Sequence, residues 1–276
     1  MVFPGAKFGS ESGGGAATHS SSPAVAPIQP CLVINLMSWT IPPPDWSTPA
    51  GRILDQFFEA IQGAFPEFSA PITLFGSAAI QVCLDESFTS ADVDLMVASD
   101  SVRLRDIARE AGVGRSGTIR PAYGVQICPP QLFRPTPHYL QRAHIEQRYG
   151  QKVVVPHVRD ILIAKLHRSR TEGQDGLVAK DLRAFQRVRE LCDGHPTRQE
   201  LIDDLQLCEP DFRLPVDGGV NSFRLNALDL FSSVFHHPLD LENEVLKPAR
   251  AAATVVIHDH GKDIAQSLAD LRADRD

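Results

Sequence analysis

The pattern with the clearest chemical meaning is a pair of aspartates two residues apart, Asp92 and Asp94, inside the hydrophobic run at residues 91–97. We predict a strand there, and alternate residues of a strand project from the same face. Adjacent carboxylates repel each other unless a cation lies between them. Because Mg²⁺ takes carboxylate oxygens together with water and substrate phosphates, the pair predicts a magnesium site. A solvated strand end or turn is the alternative interpretation.

A Gly76-Ser77 step precedes this pair and follows the short β-prone run at residues 72–75. Glycine lets the backbone approach a ligand closely, and we expect Ser77 to cap a helix running through Leu84. The free N–H groups at the start of a helix suit a phosphate. Alone, such a step is usually just a helix cap. With the aspartate pair after it, it predicts a phosphate site and a metal site on neighbouring strands.

Two charged residues in the second half of the chain are further candidates. Lys165 lies in an apolar helical run at residues 161–166, where an ammonium group needs a partner or a route to water. Asp181 borders the apolar side of the next predicted helix. This aspartate could orient Lys165, or accept a proton from a substrate hydroxyl. A surface lysine and an ordinary salt bridge are the alternatives.

Residues 74–97 resemble the signature of the nucleotidyltransferase superfamily related to DNA polymerase beta. That signature is a hydrophobic strand, Gly-Ser, a short helix, and then two aspartates alternating with hydrophobic residues. The nearest branch is the minimal, toxin-like bacterial group, including the abortive-infection type. Its later helices carry a lysine and then a basic residue followed by aspartate, which residues 159–166 and 180–182 match. The resemblance covers residues 50–195.

The resemblance implies a Mg²⁺-dependent enzyme that moves a nucleoside monophosphate from an NTP to a hydroxyl of tRNA, protein or a small molecule. Asp92 and Asp94 would hold the metal ion and the triphosphate. Nucleotide binding would involve Gly76, Ser77 and Lys165, the lysine neutralising charge on the leaving pyrophosphate. The catalytic residues that it implies are Asp92, Asp94, Lys165 and Asp181. A toxin-like role also implies an antitoxin as partner.

The chain departs from the polymerase-like pattern at the third carboxylate, which active members usually carry on the next strand. The corresponding strand here is predicted at residues 123–128, and its inward polar residue is Gln126. An amide cannot take a proton. Either Asp181 supplies the base, or catalysis is slow or lost. The rival hypothesis is therefore a catalytically weak or inactive nucleotide-binding or interaction protein on the same fold.

The composition of the chain argues against several classes of function. The chain has 276 residues, with 27 basic and 34 acidic side chains and a net charge of −7, so affinity for nucleic acid over the whole surface is not expected. No apolar run is long enough to span a bilayer, and no membrane partner is expected. Five scattered cysteines are typical of reduced thiols in a cytoplasmic protein. The histidine spacings do not favour a zinc site.

The elements that must position these residues indicate an α+β fold: a nucleotidyltransferase-like mixed β-sheet flanked by helices, with a helical C-terminal part. We expect a flexible Gly/Ser/Pro-rich arm at 1–47, an α/β core at 48–156 and a helical region at 157–276 that completes the site. Thr48-Pro49 should open the first helix, and Thr197 with Glu200 should form a capping box. We also expect a helix from Thr136-Pro137 to Gly150.

Overall fold

The computed structural model describes residues 39–88, 90, 92–98, 102–111, 124–171, 174, 176–213, 221–254 and 262, which all belong to one compact unit. The part of the predicted arm before residue 39 lies outside the described residues. Residues 39–47 contain no helix or strand. No helix of the described part is long and apolar enough to cross a membrane.

A five-stranded mixed sheet forms the centre of the fold, and its strands are β1 (Ile72–Phe75), β2 (Asp92–Val97), β3 (Gly124–Cys128), β4 (His144–Arg148) and β5 (Gln151–Val155). Their order across the sheet is β3-β2-β1-β5-β4. β1 pairs antiparallel with β2 and parallel with β5, whereas β2 and β3 are parallel. β4 and β5 form an antiparallel hairpin at one edge.

The helices are α1 (Pro49–Ala64), α2 (Gly76–Cys83), α3 (Val102–Ala111), α4 (Tyr139–Arg142), α5 (Val158–Leu166), α6 (Ala179–Leu191), α7 (Arg198–Leu207) and α8 (Ser222–Val234). Short 3₁₀ helices span Pro130–Leu132 and Glu209–Arg213. A π-helical turn at Leu241–Leu246 continues as an α-helix to residue 254. In the described part of the chain all five strands lie before residue 156 and only helices follow, which confirms the predicted α+β class.

Local sequence explains where two of these helices begin. The Thr48 hydroxyl accepts a hydrogen bond from the Gly51 N–H, and Pro49 occupies the first turn of α1, as predicted. At α7 the predicted capping box is present: Thr197 caps the Glu200 N–H, and the Glu200 carboxylate accepts from the Thr197 N–H.

One continuous apolar core joins the sheet to the C-terminal helices. Phe57 and Phe58 of α1, Phe185 of α6 and Phe231 of α8 are fully buried in it. Strand β1 is buried along its whole length, as expected for a strand covered on both faces. The helices that carry the candidate site residues are therefore held by the same core as the strands.

The helix predicted from Thr136 to Gly150 is wrong. The segment forms the four-residue α4 and then strand β4, which turns back into β5. Tyr149 and Gly150 form the turn with φ of +47° and +75°. Positive φ at both central residues is typical of the two-residue turns that match strand twist, but asparagine usually occupies the position that Tyr149 fills. The turn therefore cannot be recognised from its sequence.

Ser77 does not cap α2 as predicted. The helix begins one residue earlier, at Gly76, and its N-cap is Phe75, which provides no side-chain cap. Ser77 lies inside the first turn, and its hydroxyl is 3.4 Å from the Lys165 ammonium group, which donates to it. The serine thus contacts a candidate site residue instead of its own helix terminus.

Candidate functional site

Sheet register brings the two aspartates of β2 to one end of the sheet. Asp94 pairs with Phe75, the last residue of β1, and therefore lies beside the β1–α2 junction. On its other side Asp94 pairs with Gln126 of β3, while Asp92 pairs with Gly124. Gln126, which is exposed, is thus the residue of β3 in register with Asp94.

The β1–α2 junction requires glycine for two separate reasons. Gly76 has φ of +72°, in the left-handed region that side-chain-bearing residues rarely adopt. A Cβ atom built on Gly76 would also overlap Asp94 Oδ2. The missing side chain therefore lets the Asp94 carboxylate pack directly against the backbone that opens α2.

The two aspartates have different surroundings. Asp92 is exposed, whereas Asp94 is half-buried. Burial, and then repulsion from Asp92, raise the pKa of Asp94, and the positive charges of Lys165, Lys180 and Arg168 oppose that rise. The result is a partly desolvated carboxylate whose ionised form a bound cation would stabilise.

The Cys128 thiol of β3 lies close to Asp94. Its Sγ atom lies 4.0 Å from Asp94 Oδ1. Burial raises the pKa of Cys128 to about 11, with smaller contributions from the two aspartates. The thiol is therefore neutral at physiological pH and adds no charge to the site.

Lys165 and Asp181 form a buried ion pair that joins α5 to α6. The Lys165 Nζ atom lies 3.0 Å from Asp181 Oδ1, and the two side chains are 6% and 0% exposed. Burial lowers the pKa of Lys165, and the adjacent Asp181 carboxylate counteracts this. Since Nζ also donates to the Ser77 hydroxyl, the lysine connects α6 to the first turn of α2.

Arg168 also contacts Asp181 and was not among the predicted site residues. Its Nε atom lies 2.8 Å from Asp181 Oδ2, although that oxygen lacks an aligned hydrogen bond within the described part of the chain. Asp181 is therefore an enclosed carboxylate between two cations, which suits an orienting role better than that of a base. The available signal was its position three residues after Lys165 in sequence, just past the end of α5.

A second buried ion network holds the opposite end of α5. Arg142 of α4 binds Asp160 at 2.6 Å and Asp204 of α7 at 2.8 Å, and Arg159 binds Asp204 at 2.8 Å. All four side chains are at most 7% exposed. The Thr136 hydroxyl adds a hydrogen bond of 2.5 Å to Asp160. These contacts fix the position of α5, which carries Lys165.

Two cavities flank the β1–α2 junction. The first, the α5 cavity, has a volume of about 540 Å³, and its lining includes Phe75, Gly76, Asp94, Leu132, Lys165 and Phe223. The second, the α6 cavity, has a volume of about 690 Å³, and its lining includes Ser77, Phe88, Lys180, Arg183, Ala184 and Arg187. Both cavities carry three basic side chains, Arg134, Lys165 and Arg168 in the first and Lys180, Arg183 and Arg187 in the second, but only the first also has an acidic residue, Asp94.

An aromatic pair forms part of the α5 cavity wall. The rings of His167 and Phe223 are stacked, with centroids 4.0 Å apart and planes 8° apart. Burial lowers the pKa of His167 to about 3, so the imidazole is neutral at physiological pH. A flat, uncharged wall of this kind suits an aromatic or apolar part of a ligand.

The donor set agrees with a magnesium ion completed by substrate. In the described ranges, no group of three or more His, Cys, Asp or Glu side chains could hold a metal ion. Asp92 and Asp94 supply two carboxylates, and Mg²⁺ in phosphoryl-transfer sites binds one or two carboxylates together with water and phosphate oxygens. Burial is the main reason that the pKa of Asp94 is raised, and a cation bound beside the carboxylate would counteract that rise.

The structure brings together most of the residues singled out in the sequence. Gly76 and Asp94 are in contact, and Ser77, Lys165 and Asp181 form a hydrogen-bonded chain next to them. Asp92 lies on the same face of β2 at its exposed end. This arrangement links a carboxylate pair, a helix N-terminus and a lysine between two cavities.

The chain was compared with protein-family models, curated proteins and solved structures, and none of the three comparisons found a match. The functional assignment therefore depends on the residues and geometry described above.

Proposed function

We propose that the chain is a Mg²⁺-dependent nucleotidyltransferase. The observation that carries this proposal is the contact between Asp94 and the Gly76 backbone, which places a carboxylate pair against the first turn of a helix. Carboxylates bind a divalent cation, and helix N-termini bind phosphate. Few reactions other than phosphoryl or nucleotidyl transfer need both at one position.

In the proposed reaction an acceptor hydroxyl oxygen attacks the α-phosphorus of an NTP. The new oxygen–phosphorus bond forms as the bond to the α,β-bridging oxygen breaks, pyrophosphate leaves, and the hydroxyl proton passes to solvent. Asp92 and Asp94 would hold Mg²⁺, which supplies charge neutralisation on the phosphate oxygens. Lys165 would neutralise negative charge that accumulates on the leaving pyrophosphate.

Asp181 acts as a positioning residue in this proposal. Its two carboxylate oxygens face Lys165 and Arg168, so it orients the lysine towards the Ser77 hydroxyl. Phosphoryl transfer depends mainly on positioning and charge stabilisation, so a dedicated base is not essential. This assignment accommodates Gln126, which lies in register with Asp94 and cannot accept a proton.

A second candidate function is a nucleotide-binding protein with weak or no catalysis. The observation that favours it is the same Gln126, because an amide beside Asp94 removes the carboxylate that assists the attacking hydroxyl. Both candidates share the nucleotide site and differ only in turnover. The acceptor class, whether tRNA, protein or small molecule, and an antitoxin partner remain predictions from the resemblance.

The test is transfer of label from each of the four NTPs in the presence of Mg²⁺ and total cellular RNA and protein. NTPs labelled at the α-phosphate are compared with NTPs labelled at the γ-phosphate. The wild type is compared with Asp92→Asn/Asp94→Asn, and with Asp106→Asn on the exposed surface of α3 as the matched control.

Macromolecular label from the α-position alone, absent in the double variant and retained in the control, is the expected result. Label from the γ-position would instead identify a phosphotransferase. NTP binding without any transfer, lost in the double variant, would favour the non-catalytic candidate.

A further inference from the structure

The charged residues in the described lining of the α6 cavity are all cations. Lys180, Arg183 and Arg187 of α6 line it, and none of its described lining residues is acidic. Positions three and four apart lie on one side of a helix, so these three side chains share a face. At a rise of about 1.5 Å per residue, the three cations span about 10 Å along the helix axis.

Two of these cations are available for a ligand. Neither Lys180 nor Arg183 has a carboxylate partner within salt-bridge distance in the described part of the chain, and both are exposed. Arg187 pairs with Asp85 at 3.0 Å and with Glu190 at 3.2 Å. Because solvent-exposed ion pairs of this kind are weak, an anionic ligand can compete for Arg187.

The cavity connects directly to the candidate site through Ser77. Ser77 belongs to its lining, and the Ser77 hydroxyl accepts a hydrogen bond from Lys165. Asp181 is adjacent to Lys180 in sequence, but its charge is directed at Lys165 and Arg168 and does not face the cavity as a free carboxylate. Positive charge thus continues from Lys165 past Ser77 into the α6 cavity.

The walls of the α6 cavity suit phosphates more than a nucleobase. Its apolar lining consists of Phe88 and Ala184, whereas the α5 cavity has the stacked His167 and Phe223 rings on its wall. Phosphate groups require positive charge and hydrogen-bond donors, and bases require flat apolar surfaces. The α5 cavity also contains Arg134, Lys165 and Arg168, but it combines them with Asp94 and the stacked rings, whereas every charged residue in the described lining of the α6 cavity is a cation.

We propose that the α6 cavity binds the terminal phosphates of the nucleoside triphosphate, with Lys180 and Arg183 as the contacting side chains. This inference rests on the proposed function, in which the α-phosphate lies at Asp92 and Asp94. The β- and γ-phosphates then extend past Ser77, and pyrophosphate leaves through the cationic cavity after the bond to the α-phosphorus breaks. The nucleoside lies on the α5 side of the junction.

The experiment measures binding of inorganic tripolyphosphate with Mg²⁺ to the full chain by isothermal titration calorimetry. The variants are Lys180→Ala/Arg183→Ala, the conservative Arg183→Lys, and Arg109→Ala as a control on the exposed face of α3. A charged phosphate contact contributes about tenfold in affinity, so the double variant should bind about a hundredfold more weakly. Arg183→Lys and the control should stay close to wild type.

The same variants are assayed for NTP transfer, which separates failure of the subsite from failure of the reaction. A raised KM for NTP in the double variant, with little change in kcat, supports the proposal. If the double variant binds tripolyphosphate as tightly as the wild type, the proposed phosphate site is overturned. If the wild type nevertheless transfers nucleotide, the proposed reaction still holds. If the double variant loses tripolyphosphate binding but the wild type transfers no nucleotide, the phosphate site is supported and the proposed reaction is refuted.

A single-stranded RNA oligonucleotide is the competing ligand. If it displaces tripolyphosphate and the double variant keeps a wild-type KM for NTP, the cavity binds an acceptor backbone and the proposal is overturned.

Discussion

Replacing Asp181 by asparagine should destabilise the fold strongly, because it leaves Lys165 buried without a counter-charge. At 3.0 Å and an effective dielectric constant of about 20, the attraction within the pair is on the order of 5 kcal/mol. Desolvation of two buried ions costs a similar amount, several kcal/mol for each. Removing one partner forfeits the attraction and keeps the desolvation, so Asp181→Asn should lower the free energy of unfolding by about 3–5 kcal/mol.

Lys165→Met should cost less than Asp181→Asn. In that variant Asp181 keeps Arg168, whose Nε lies 2.8 Å away and whose side chain is 48% exposed. The double variant Lys165→Met/Asp181→Leu removes both buried charges, and Arg168 can turn towards solvent. Its unfolding free energy should therefore return to within about 1 kcal/mol of the wild-type value. Transfer activity should be lost in all three variants.

Urea unfolding of the four proteins at constant pH measures these differences, and a pH series adds an independent check. The pKa of Lys165 is lowered by burial in the folded state, and losing Asp181 lowers it further. The unfolded state, with a lysine pKa of about 10.4, then holds more protons than the folded state. The stability of Asp181→Asn should therefore rise with pH between neutrality and about pH 10. A double variant as unstable as Asp181→Asn would refute the desolvation argument, and wild-type transfer by the double variant would refute the role of the pair.

Three further substitutions test the carboxylate end of the site. Asp94→Asn should abolish transfer yet stabilise the metal-free fold at pH 7 in urea unfolding. The folded-state pKa of Asp94 is raised, so ionisation above the unfolded pKa of about 3.9 costs stability, and the gain should disappear below about pH 3. Gly76→Ala should lower the unfolding free energy by about 1–3 kcal/mol and abolish transfer, because it forces positive φ on alanine and displaces the Asp94 carboxylate. Gln126→Asp should raise kcat for transfer by about tenfold or more if a missing base limits the rate, and its control is Gln126→Asn.

Each of these three expectations has a contradicting result. The expected stabilisation is contradicted if Asp94→Asn unfolds at the same or a lower urea concentration than wild type at pH 7. The expected role of Gly76 is contradicted if Gly76→Ala retains both the stability and the transfer activity of the wild type. An unchanged or reduced kcat for Gln126→Asp would show that the position beside Asp94 does not limit the rate.

Local sequence signals were sufficient for much of the fold. The Thr48-Pro49 start of α1 and the Thr197 capping box of α7 involve residues within four positions of each other, so both can be recognised from the sequence. Strand β4 was missed because Ile145 is its only β-branched residue and Tyr149 occupies the turn position where asparagine is usual. The interpretation of Ser77 as a cap failed because its partner is Lys165, remote in sequence.

The geometry of the candidate site depends on pairings that no local pattern encodes. Asp92 and Asp94 could be placed on one face from strand periodicity alone. The enclosure of Asp181 by two cations depends instead on how α5 packs against α6, which the core determines. Arg168 was passed over for the same reason, since an arginine after an apolar helix most often lies in solvent.

Helix α5 functions mechanically as a strut. One end is anchored through Asp160 in the buried network with Arg142, and Lys165 is about 1.4 turns further along, about 7.5 Å at the rise of an α-helix. A rigid rod transmits axial displacement with little loss over such a length. We therefore expect substitutions at Asp204 on α7, which binds Arg142 and Arg159, to move the lysine ammonium relative to Ser77. Substitutions in the buried network can therefore impair function by misaligning Lys165, although these residues do not belong to the candidate site.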